Sequence, residues 1–153
     1  FLDVIKGWIS VNYIFLIEGS TLLRESNPEL FFEIQLVFGI SAVIGHLFPV
    51  YTGFRGGKGI ATMLGLLIAV SSFSALLSFL VFSFCFIIFR YVSLSSIIAS
   101  LSFPLIVIFI MQSENSSLNL FSIFVPLLSL ITHQKNIERL IRGEETKVKF
   151  VKK

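Results

Sequence analysis

The chain has 153 residues, 55% of them hydrophobic and 14% charged, with a formal net charge of +3 and a mean hydropathy of +0.92. Soluble domains carry about 25% charged residues, so the composition excludes an ordinary soluble fold, and the weak, dispersed positive charge argues against nucleic-acid binding. Eighteen Phe and long Leu, Ile and Val runs point instead to helices in lipid, and the one cysteine, Cys85, reads as a small buried hydrophobe.

A membrane-crossing helix needs about 20 apolar residues. The chain begins at Phe1, already inside an apolar segment and with no basic leader, so upstream sequence is expected. Segment one is predicted over about 4–19. Asp3 and Lys6 at its start can pair or anchor at the interface, and the anchor is preferred. A polar stretch, 20–28, ends in Asn27-Pro28-Glu29, which has the cap, the first-turn proline and the dipole-complementing acid of a helix start. Segment two runs from there to about Phe48, stopped by Pro49, with Glu33 and Gln35 as interface or packing residues.

Ile60 to Phe89 holds thirty residues without a charge. One straight helix of that length would measure about 45 Å, against a hydrocarbon core of about 30 Å. Ser71-Ser72 is therefore predicted to divide it into two short spans, about 60–73 and 75–90. Segments five and six follow, about 94–112 and 120–133, separated by a polar loop. Ile137, Leu140 and Ile141 then recur at helical spacing among cations, which predicts an amphipathic cytoplasmic helix and basic tail over 134–153, the helix ended by Gly143. The expected fold is all-α: a single polytopic membrane domain over 1–153 with about six transmembrane helices.

The distribution of cations supports six spans. Lys6, Arg55, Lys58, Arg90 and the seven Lys and Arg from Lys135 onward fall on the cytoplasmic side, leaving only Arg24 of the twelve outside. A single span over 60–89 would put the basic loop and the basic tail on opposite faces.

Chemistry concentrates in two stretches. The first is Gly45-His46-Leu47-Phe48-Pro49 through Phe54-Arg55-Gly56-Gly57-Lys58-Gly59. Glycines let backbone N–H groups approach an anion, Lys58 adds a mobile charge, and Arg55 adds a planar fork. The helix beginning near Ile60 aims its positive end at the same place. These features make a phosphate cradle, although the spacing is not that of a P-loop. The competing reading is a basic turn that only satisfies the positive-inside rule. His46, beside the cradle, can accept a proton, bind phosphate or cap its helix.

The second stretch is His133 through Lys147. His133, Asn136 and Arg139 recur every three residues and form one slanting helix face. A ring nitrogen, an amide and a guanidinium on one face suit a phosphorylated polyol; the competing reading is a basic helix gripping anionic lipid. No Cys/His cluster has zinc spacing, and no Gly-x-Ser-x-Gly or GxGxxG occurs, so neither a metal nor a cofactor is expected. The many serines within spans read as helix-packing residues.

These two stretches closely resemble motifs of the bacterial acyl-phosphate:glycerol-3-phosphate acyltransferases, the PlsY family. Gly45 to Thr62 resembles that family's second motif throughout, and His133 to Lys147 its third, with Glu145 in the glutamate position. Leu2-Asp3-x-x-Lys6-Gly7 is similar to the family's second helix start. The resemblance implies seven spans in the complete fold, so the first span and first motif precede Phe1 and the fragment is expected to be catalytically defective. It implies acyl phosphate as donor, glycerol 3-phosphate as acceptor, and lysophosphatidic acid and phosphate as products.

The same resemblance assigns Arg55, Gly56, Gly57, Lys58 and Gly59 to the leaving phosphate. It assigns His133, Asn136, Arg139 and Lys135 to the acceptor, with Glu145 orienting the cations. Either His46 or a substrate phosphate oxygen serves as base. The expected setting is the bacterial inner membrane, with the site on its cytoplasmic face, membrane lipids around it, and the soluble acyl-phosphate-forming enzyme as a partner. The alternatives are an anion-selective transporter and an inactive lipid-binding fragment. Polar groups clustered at one face, not at mid-membrane, favour interfacial chemistry over transport.

Overall fold

The computed structural model describes residues 1–149; the end of the expected basic tail, including Lys152 and Lys153, lies outside the described residues. The described residues form helices and connecting turns. In chain order these are α1 (Leu2–Asn12), a 3-10 turn (Tyr13–Leu16), α2 (Ser20–Ser26), α3 (Pro28–Leu47), a 3-10 turn (Val50–Thr52), α4 (Ile60–Val70), α5 (Ser72–Phe89), α6 (Val92–Leu105) continuing as a π-helical turn (Ile106–Ile110), α7 (Ser116–Thr132) and α8 (Gln134–Ile141). The chain divides into two compact units, Phe1–Ala75 and Leu76–Lys153.

In the first unit α1, α3 and α4 pack together. Glycines set how closely α1 and α4 cross. A Cβ on Gly7 would lie 2.1 Å from the Thr62 carbonyl oxygen, and one on Gly65 would lie 2.0 Å from that of Val4. The two backbones therefore touch, as small residues permit between membrane helices. Val11, Val43 and Leu66 fill the space beside this crossing, and Gly39 of α3 lies against Val11 and Leu66. The start of α3 is as expected: the Asn27 side chain accepts from the Leu30 amide at 3.0 Å, and Pro28 opens the helix.

The first predicted segment differs from one continuous helix. The α-helix ends at Asn12, after about 16 Å of rise, and passes through the 3-10 turn and Gly19 at φ +80° into α2. Near this end the Asn12 side chain donates to the Trp8 carbonyl at 2.8 Å, and Ser10 donates to that of Lys6. Such back-bonding weakens the helical ladder.

The break near Ser71 is present. Ser71 ends α4 with φ −154°, and its hydroxyl donates to that of Ser74 at 2.8 Å. With eleven residues, α4 is too short to cross a bilayer alone. Among the described residues three helices are long and apolar enough to cross: 28–52, counting its terminal turn, 72–89 and 92–110. The pair α7 and α8 qualifies together, bent by 65° at His133.

The second unit is built inside-out relative to a soluble domain. Phe79, Leu80, Phe84 and Ile87 of α5 are exposed, whereas Ser95, Ser96, Ser100 and Ser122 are buried. Those four hydroxyls donate back to carbonyls of their own helices. These four hydroxyls are thereby buried with a partner, whereas those of Ser78 and Ser129 are buried without one. Cys85 is buried, as expected. Pro104 within α6 removes one ladder donor, and the helix widens just beyond it, so that Met111 N–H bonds to Ile106 five residues back.

Candidate active site

The glycine-rich loop folds back along the end of α3. The Gly56 amide donates to the Leu47 carbonyl at 3.1 Å. A Cβ on Gly56 would sit 2.1 Å from the His46 carbonyl oxygen, so only glycine fits there. Gly57 lies against the His46 ring, where a Cβ would come within 2.6 Å of Nε2. Gly59, at φ +74°, ends the loop and starts α4. The glycines thus have packing reasons of their own, and the Gly56 N–H is directed to Leu47. Arg55 and Lys58 stand exposed on this loop, and the Arg55 carbonyl accepts from the Thr52 hydroxyl at 3.0 Å. The first amides of α4 follow immediately, with no acceptor inside their own helix.

His46 is held from the far side of its ring. Its Nδ1 lies 3.2 Å from Asp3 Oδ1. An ionised carboxylate only accepts, so Nδ1 carries the proton of this contact, and the Nε2 edge is the one beside Gly57. Asp3 therefore meets His46. Its spacing to Lys6 gave no hint of this, because the contact joins α1 to α3.

In the second unit Asn136 and Arg139 lie on α8, and His133 stands at its start. His133 occupies the N-cap position of α8 at the bend from α7 and is 1% exposed; its side chain does not cap the helix, and its Nδ1 lies 2.9 Å from the Ser129 carbonyl oxygen. Asn136 is buried and Arg139 half-exposed. Gly143, at φ +72°, closes α8 with Glu144 N–H bonded to Arg139 O and Gly143 N–H to Leu140 O, a Schellman turn. That turn sends the chain back along the helix and lays Glu145 on it. Glu145 Oε1 accepts from Asn136 Nδ2 at 2.8 Å and from Ser93 Oγ at 2.5 Å, while Oε2 lies 3.4 Å from Arg139 Nε. Ser93 was invisible as a site residue among so many serines. Lys135, Glu138, Arg139, Arg142 and Glu144 line an adjoining surface groove of about 360 Å³. Among the described residues no cluster of three metal-ligating side chains occurs.

The profile of the glycerol-3-phosphate acyltransferase family matches residues 1–143. The chain belongs to this family. The glycerol-3-phosphate acyltransferase of Chlorobium phaeobacteroides (strain BS1) is 32% identical over 97% of this chain and 73% of its own length. That of Staphylococcus aureus (strain Newman) is 35% identical over 99% of this chain and 72% of its own length. Crystal structures of PlsY (YgiH), an integral membrane glycerol 3-phosphate acyltransferase, in its lysophosphatidic acid and glycerol 3-phosphate forms, match with TM-score 0.78 and 35% identity. They cover 97% of this chain and 69% and 68% of theirs. The acyltransferase is thus an all-helical, multi-pass membrane protein of phospholipid biosynthesis. Of its candidate residues, the fold gathers His46, Gly56 and Gly57 at the end of α3, with Lys58 and Gly59 next in the chain. It gathers Asn136, Arg139 and Glu145 on one face of α8, with His133 at that helix's start.

Proposed function

We propose that this acyltransferase takes its acyl group from acyl phosphate and transfers it to glycerol 3-phosphate, giving lysophosphatidic acid and inorganic phosphate. The observation that carries this reading is the Asn136–Glu145–Arg139 cluster on α8, in a chain whose solved relative has a glycerol 3-phosphate form. An acyl phosphate is a mixed anhydride with a good leaving group, so its departure needs little acid catalysis. What the protein must supply is the placement and charge neutralisation of two phosphorylated molecules.

Lys58, Arg55, the Gly57–Gly59 backbone and the first amides of α4 bind the leaving phosphate. His133, Asn136, Arg139 and Lys135 bind the acceptor, and Glu145 fixes the amide and the guanidinium. A glycerol hydroxyl oxygen attacks the acyl carbon and the bond to phosphate oxygen breaks, with no acyl-enzyme. The hydroxyl proton leaves to His46 Nε2 or to a phosphate oxygen. Both groups of residues face the cytoplasm at the bacterial inner membrane, in keeping with the cations of the loop and tail, and a soluble enzyme delivers the acyl phosphate.

The test is an assay of the purified, membrane-reconstituted intact enzyme with acyl phosphate, acyl-CoA or an acyl thioester of acyl carrier protein as sole donor. Lysophosphatidic acid and phosphate should appear in equal amounts from acyl phosphate alone. Lys58→Ala should lower turnover tenfold to a hundredfold, corresponding to about 1.5–3 kcal/mol for a charge-assisted contact. Equal activity with a thioester donor, or normal turnover by Lys58→Ala, would contradict the reading.

A further inference from the structure

We infer that Ser93 is a positioning residue for the acceptor site, acting through Glu145 on Asn136 and Arg139; this rests on the assignment of α8 to glycerol 3-phosphate. Ser93 stands apart from the other buried serines of α6. Ser95, Ser96 and Ser100 bond back to carbonyls of their own helix, whereas Ser93 donates across to Glu145 Oε1 at 2.5 Å. It occupies the first turn of α6, so the Glu145 carboxylate lies near the positive end of that helix, where a negative charge is favoured.

The geometry leaves the carboxylate little freedom. Oε1 receives Ser93 and Asn136 together, and Oε2 faces the Arg139 guanidinium. The chain on either side of Glu145 is tied as well. Gly143 fixes the turn before it. After it, Val148 N–H donates to the Arg90 carbonyl at 2.9 Å, and the Lys147 ammonium sits 5.2 Å from the Tyr91 ring centroid. The corner formed by Arg90, Tyr91 and Ser93 therefore acts as a dock for a strap, residues 144–148, and the strap holds the acceptor-binding face of α8. Without the Ser93 hydroxyl the carboxylate can swing, and Asn136 and Arg139 lose the fixed acceptor that orders them before substrate arrives.

The test compares Ser93→Ala, Ser93→Thr and Asn136→Ala in the intact enzyme, with KM determined separately for each substrate and thermal stability measured in parallel. Ser93→Ala should raise KM for glycerol 3-phosphate about tenfold and leave KM for acyl phosphate within about twofold. Ser93→Thr, which keeps the hydroxyl, should recover most of the loss. If Ser93→Ala is not recovered folded, Ser93→Cys carries the same comparison with a weak donor. An unchanged KM for glycerol 3-phosphate in Ser93→Ala, alongside a raised one in Asn136→Ala, overturns the positioning role alone. An unchanged KM in Asn136→Ala overturns the assignment of α8 and this inference with it. Equal rises in both KM values, or no rescue by Ser93→Thr, would mark Ser93 as a packing residue and also overturn the inference.

Discussion

Glu145 accepts a hydrogen bond from the side chain of Asn136 at 2.8 Å, because a glycine turn at Gly143 reverses the chain at the end of α8. The amide must therefore present an N–H to a carboxylate. Asn136→Asp would place two carboxylates in contact in a largely buried setting. That substitution should cost about 3 kcal/mol and reduce kcat/KM at least a hundredfold. Adding Glu145→Gln restores a donor–acceptor pair, so the double variant should be more active than Asn136→Asp. Steady-state kinetics of the two single variants and the double variant check this; additive losses would contradict the pairing.

The Asp3–His46 contact should matter less, because Asp3 is half-exposed. Exposed pairs contribute up to about 1 kcal/mol. Asp3→Ala should lower kcat/KM about fivefold. Asp3→Asn keeps an acceptor for Nδ1–H and should cost less. The same assay distinguishes them.

Gly56 and Gly57 should respond differently to alanine. At Gly56 the added Cβ meets backbone oxygen at 2.1 Å, which cannot move without refolding the turn, so activity should be lost almost entirely. At Gly57 it meets the end of the His46 ring, which can rotate. Gly57→Ala should impair turnover less, and in a His46→Ala background it should add little further loss. Kinetics of the two alanine variants and the double variant provide the check.

Gly65→Ala should destabilise the protein without touching the candidate site. Its Cβ would fall 2.0 Å from the Val4 carbonyl oxygen and force α1 and α4 apart. Overpacking of this kind costs about 1–3 kcal/mol. A lower melting temperature in detergent is expected, with KM for both substrates preserved in the fraction that remains folded.

The features legible in the sequence were those with local causes. Asn27-Pro28 announced a helix start, Ser71-Ser72 a break, and Gly143 a stop, because each acts on backbone groups within a few residues. The every-third spacing of His133, Asn136 and Arg139 required only helical geometry. The end of α1 at Asn12 was not legible: hydropathy runs through it, and the interruption involves side chains that bond back to their own helix and a glycine with positive φ. Nor were Asp3 and Ser93 legible as partners of His46 and Glu145. Those contacts join segments far apart in the chain, so no spacing rule applies to them.

The proposed reaction requires Lys58 of the glycine-rich loop and Lys135 of α8 to be reached from the same side of the membrane. The most direct measurement is labelling of Lys58→Cys and Lys135→Cys, each in a Cys85→Ala background, with a membrane-impermeant maleimide in sealed vesicles of known orientation. Both exposed positions should react in inside-out vesicles and be protected in right-side-out ones. Modification of the two positions from opposite sides of the bilayer would contradict this requirement.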